Sequence, residues 1–162
     1  MVDGKAEMRD VMARFSRLLH QCNETVEMPA IEDPVFTKRA WFFECLYEVK
    51  KLADECARVS NNFSGYQMKP GRVVALRFES ELRELYYKGV KQAESIFDVL
   101  ESYDEEMSFW ADSERASGLL LTLNSLFRKA LGSMTQSYVD LLKGSPEEES
   151  EEERELWSRS SC

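Results

Sequence analysis

The chain has 162 residues, 43% hydrophobic and 31% charged, with a net charge of −9. That length suffices to bury one hydrophobic core; seven glycines and four prolines favour long helices over strands and turns, and the acidic balance excludes a binder of the nucleic-acid phosphate backbone or a purely electrostatic hold on anionic membranes. No apolar run reaches the roughly 18 to 20 residues of a membrane span, and the start MVDGKAEMRD lacks the apolar centre of a signal peptide, so the expected setting is intracellular, cytoplasmic or nuclear.

From Asp3 to about Thr25, Met8, Val11, Met12, Phe15, Leu18, Leu19 and Cys22 recur at the spacing of one helix face. Asp3 supplies an N-cap, and Glu7 sits in the early turns, where the helix dipole favours an acid. The connection Glu27 to Asp33 holds Pro29, which disfavours helix for the residue before it. Asp33 and Pro34 then read as an N-cap followed by proline at the first helical position.

The second helix, TKRAWFFECLYEVKKLADECARV from Thr37 to Val59, carries two stripes rather than one. Phe42, Cys45, Leu46, Val49, Leu52, Ala53 and Cys56 form an ordinary core face. Phe43 and Tyr47, with Phe36 a turn further out, fall on a second stripe, and Trp41 lies at the border of both. A helix with one buried face does not need these rings. Either another part of the chain covers them or a partner does.

The segment SNNFSGYQMKPGR reads as a loop whose Phe63, Tyr66 and Met68 are expected to fold back over one end of the bundle. A third helix is expected from about Arg72 to Tyr103, with Ala75, Phe78, Leu82, Leu85, Tyr86, Gly89, Ala93, Ile96, Phe97 and Leu100 on its apolar stripe. Gly89 costs about 1 kcal/mol of helix propensity against alanine, which points to close approach of a neighbouring helix there. Leu76 and Tyr87 lie off this stripe. After the break ESYDEEMSFWADS, where Ser108 or Asp112 is the expected cap and Phe109 and Trp110 anchor the turn, a fourth helix runs to Lys143. Gly144 and Pro146 end it.

These elements predict an all-α fold, an antiparallel four-helix bundle over residues 1–144, followed by a disordered acidic C-terminal tail over residues 145–162. The tail holds seven glutamates against Arg154 and Arg159. It therefore carries −5 of the −9 total.

Catalytic signatures are missing. The single histidine, His20, has Glu24 one turn on and no paired E-x-x-H motif of the kind that builds a bundle metal site. The sequence has no Cys/His zinc spacing, no phosphate-binding glycine loop and no G-x-S-x-G nucleophile elbow. Cys22, Cys45 and Cys56 fall on apolar faces and read as buried free thiols. No enzyme activity, metal or other cofactor is expected.

The expected function is a non-enzymatic interaction module, an adaptor or subunit of an intracellular multiprotein complex. Its binding residues are Phe36, Trp41, Phe43 and Tyr47, extended by Leu76 and Tyr87 if the second and third helices are adjacent. In the tail, Leu156 and Trp157 resemble a short motif that folds onto a hydrophobic groove, and Ser145 and Ser150, each three residues before a glutamate, are candidate phosphorylation sites. Partners are expected to be proteins, with no direct nucleic-acid binding and no membrane span; a homo-oligomer is compatible with this. One alternative is an acidic chaperone or regulator of basic proteins such as histones, acting through the glutamate-rich tail. Another is a lipid-carrying bundle, suggested by the many aromatics.

Overall fold

The computed structural model describes residues 3–28 and 35–144, and among them every regular element is helical. Four long helices, α1 (Gly4–Glu27), α2 (Val35–Val59), α3 (Met68–Phe97) and α5 (Ser113–Lys143), form the bundle, with a short α4 (Tyr103–Ala111) between the last two. Each long helix packs on two neighbours, in the cyclic order α1, α2, α3, α5.

All four contacts are antiparallel, the residue number rising in one helix as it falls in the other. Between α1 and α2, Glu7 meets Asn62, just past α2, and Arg14 meets Glu55. Between α2 and α3, Phe43 meets Phe97 and Asp54 meets Arg83. Between α3 and α5, Ser133 donates to Glu81 and Gly89 lies against Leu123. Between α1 and α5, Phe15 stacks on Phe127 at 5.0 Å and Cys22 meets the Leu120 carbonyl. The all-α bundle anticipated from the apolar stripes is therefore what the chain forms. One core runs its length, from Met8, Phe15 and Phe42 to Leu82, Leu123 and Met134. Burial of such side chains, at roughly 1.5–3 kcal/mol each, is what holds four marginal helices together.

Several boundaries shift from those expected, each for a local reason. α3 begins at Met68, not Arg72, because Pro70 lies in its first turn, where a missing N–H costs no helical hydrogen bond. It ends at Phe97, not Tyr103. The break after it holds α4, which Ser102 caps by accepting from the Glu105 N–H, with three acids in its first turn. Asp112, rather than Ser108, caps α5 by accepting from the Glu114 and Arg115 N–H groups. The Asp3 cap of α1 forms as expected, accepting from Lys5. The proposed start signal at Asp33 and Pro34 lies outside the described residues.

Glycine allows two close approaches. A Cβ on Gly89 would sit 2.6 Å from a Leu46 methyl of α2, so the expected neighbour is α2. Gly71, read as a loop residue, is instead helical and faces the Phe63 ring so closely that a Cβ would overlap it. Phe63 thus folds over the bundle end as expected. Tyr66 and Met68 do not; both are exposed.

Candidate partner-binding surface

α2 determines the surface because its two stripes face different surroundings. The core stripe is fully enclosed: Phe42, Cys45, Leu46, Val49, Leu52, Ala53 and Cys56 are all buried. One turn before Phe42 the same stripe carries Lys38, only 1% exposed, whose Nζ donates to Ser117 Oγ at 3.2 Å and Ser113 Oγ at 3.5 Å on α5. A lysine on that face gave no hint in the sequence of being buried.

The second stripe stays open. Phe43 is 41% exposed and Tyr47 61%. The antiparallel register sets Phe43 beside Phe97 of α3, with ring centroids 6.4 Å apart. Between the two helices lies a groove of about 310 Å³, walled by Phe43 and Tyr47 on one side and Tyr86, Val90 and Phe97 on the other, with Leu46 and Ala93 at its floor.

The rings are not loose. Phe43 packs edge-on against Phe42 at 5.4 Å and reaches Trp110 of α4 at 6.4 Å. Phe97, Phe109 and Trp110 meet at 5.3–5.8 Å. α4 thus builds an aromatic cap that fixes one end of the groove. The chain itself covers only part of the second stripe: it packs the inner edge of Phe43 and leaves much of Phe43 and most of Tyr47 in water. Edge-to-face pairs contribute about 0.5–1.5 kcal/mol beyond area burial, so the groove wall is held in place by the chain's own contacts.

Charge is unevenly placed around it. Glu94 and Asp98, exposed on α3 beside Phe97, make no ion pair among the described residues. At the other end, Lys51 lies over the Tyr47 ring at 5.1 Å and Lys50 over Tyr86 at 5.7 Å. Arg39 lies over Phe43 at 5.3 Å, but its guanidinium is engaged by Glu106 at 3.0 Å.

The other expected binding residues distribute as follows. Trp41 is half-buried against the core and is not part of the groove wall. Tyr87, 66% exposed, touches Tyr86 edge-on at 5.7 Å and so adjoins the groove. Leu76, 44% exposed, lies towards the opposite end of α3, where with Tyr87 it lines a larger hollow of about 560 Å³ whose charges are mixed, Glu79 and Glu84 with Arg83, Lys88 and Lys91. The single surface expected from the sequence is therefore two adjoining ones. Tyr86, Val90 and Phe97 complete the far wall of the groove; the sequence places Tyr86 and Phe97 on the core stripe and Val90 on neither surface, and the half-exposed edge of all three follows only from the α2–α3 register. The Phe36 side chain, Ser145, Ser150, Leu156 and Trp157 lie outside the described residues.

Elsewhere the titratable groups carry structural roles. His20 Nε2 lies 2.9 Å from Glu24 Oε1 on the exposed face of α1. Burial pushes the Cys22 thiol up to about 11 and the Cys56 thiol up to about 12, and raises the Cys45 thiol as well. Thiols held so far from ionisation are inert as nucleophiles. Among the described residues no group of three His, Cys, Asp or Glu side chains is placed to hold a metal ion, and no helix is long and apolar enough to cross a membrane.

Comparison with known protein families, with curated proteins and with solved structures finds no match for this chain.

Proposed function

We propose that this chain is a non-enzymatic protein-interaction module, an adaptor or subunit of an intracellular multiprotein complex, that binds through the α2–α3 groove. The observation that carries this is the pair Phe43 and Tyr47. Both are large aromatics left substantially in water on a helix whose core face is already complete. Interface centres are enriched in such residues, and a fixed apolar groove between two helices suits a partner's apolar segment. Tyr86, Val90 and Phe97 join them as binding residues.

On this reading the protein works in the cytoplasm or nucleus. The acidic tail, with Ser145 and Ser150 as phosphorylation sites and Leu156 and Trp157 as a short docking motif, is a second contact.

The test is the double variant Phe43→Asp, Tyr47→Asp used as bait beside the wild type. Partner recovery falls at least tenfold while the helical circular dichroism spectrum is retained. Undiminished recovery by a folded variant would remove the groove from the binding function.

A further inference from the structure

We propose that the occupant of the α2–α3 groove is a second copy of this chain, related by a two-fold axis that sets the Glu94/Asp98 corner of each copy against the Lys50/Lys51 corner of the other. This rests on the reading of the groove as a protein-binding surface and names the partner.

The two corners lie diagonally across the groove. Antiparallel packing pairs Phe43 with Phe97 at one end and sets Leu46 against Gly89 nearer the other. Glu94 and Asp98 therefore stand on the α3 side at the Phe97 end, and Lys50 and Lys51 on the α2 side beyond Tyr47. An in-plane two-fold axis running across that diagonal exchanges the corners. Each acidic pair then meets a basic pair, twice per dimer, as an isologous interface requires. Tyr47, the most exposed of the groove's wall residues on α2, is carried towards the partner's groove by the same operation.

The local charges leave these corners available. Among the described residues Glu94, Asp98 and Lys50 make no ion pair, Lys50 lying over the Tyr86 ring, whereas Lys51 lies over Tyr47 and also reaches Glu48 at 3.2 Å. Lys91, one turn from Glu94, makes no ion pair among the described residues either. The chain's own tail fits less well. Its seven glutamates would bring like charge to Glu94 and Asp98, and like charges in apposition disfavour docking.

The experiment uses the full chain and measures mass by light scattering after size exclusion, up to about 100 µM, which populates a dimer of micromolar Kd. Wild type is expected to approach twice the monomer mass and to dissociate with added salt. Two variants, Glu94→Lys with Asp98→Lys and Lys50→Glu with Lys51→Glu, each make both corners alike in sign, and each is expected to be a folded monomer. Mixed in equal amounts they are expected to form a heterodimer, because each then presents what the other lacks. A wild type that stays monomeric at about 100 µM overturns the proposal, as does a dimer that neither variant weakens. A monomer in which deletion of residues 145–162 exposes Tyr47 to chemical iodination overturns it in favour of the tail. If wild type is monomeric and the Phe43→Asp, Tyr47→Asp bait still loses its captured protein, the second copy is excluded and the groove reading stands.

Discussion

The α1–α5 seam and the α2–α3 seam are built from helices of similar length, yet one is closed and the other open. In the first, Phe15 stacks on Phe127, Asn124 Nδ2 donates to Asn23 Oδ1 at 2.6 Å, and the Cys22 thiol lies 3.5 Å from the Leu120 carbonyl. Its residues serve packing and register. In the second, the core stripe of α2 fills the interior while Phe43 and Tyr47 rise beside it and leave a groove. The difference teaches that apolarity alone does not report function. What separates the seams is whether the helix supplies more apolar surface than its neighbours cover.

The sharpest break of the comparison is in stability. Phe127→Ala on the closed seam is expected to cost about 3–5 kcal/mol, read from the urea midpoint, because the ring is fully buried against Phe15. Tyr47→Ala on the open seam is expected to stay within about 0.5 kcal/mol of wild type. A similar loss at both positions would erase the distinction.

Next is Asn124→Ala, which strands the Asn23 side chain against α5. We expect a loss of about 0.5–1.5 kcal/mol, the net worth of a part-buried hydrogen bond. Gly71→Ala is expected to cost about 1–3 kcal/mol of overpacking against Phe63, less about 1 kcal/mol of regained helix propensity. Gly89→Ala is milder, since the crowding atom is the end of the Leu46 side chain, which can turn aside.

The effect of pH is absent at neutrality and enters only in alkali. Cys22 is raised from 9.0 to about 11 by burial. Its folded pKa lies above its unfolded one, so the stabilisation is whole below pH 9 and fades as the unfolded thiol ionises between pH 9 and 11. The urea midpoint of wild type should therefore fall more steeply over this range than that of Cys22→Ala.

Much of this was legible in the sequence because helical periodicity is strong here. The core stripes, the Asp3 cap, the termination at Gly144 and the need for a close neighbour at Gly89 all follow from spacing and residue type. The phase of Phe43 and Tyr47 was legible too, since 100° per residue fixes their offset from Phe42. α4 was not, because Phe109 and Trp110 are adjacent and set no period over nine residues. Nor was the burial of Lys38, which depends on Ser113 and Ser117 arriving from a distant part of the chain. The far wall of the groove was hidden for the same reason: which edge of Tyr86, Val90 and Phe97 stays open is set by the α2–α3 register, and no single helix encodes it.

The central claim, that the open seam is where a protein binds, is tested most directly by placing a photo-crosslinking phenylalanine at position 47 in cells. Leu121, also exposed but on the outer face of α5, serves as the control position. The account predicts a discrete protein adduct from position 47, a second copy of this chain or a distinct partner, and none from position 121. No adduct from position 47, or the same adducts from both positions, would contradict it.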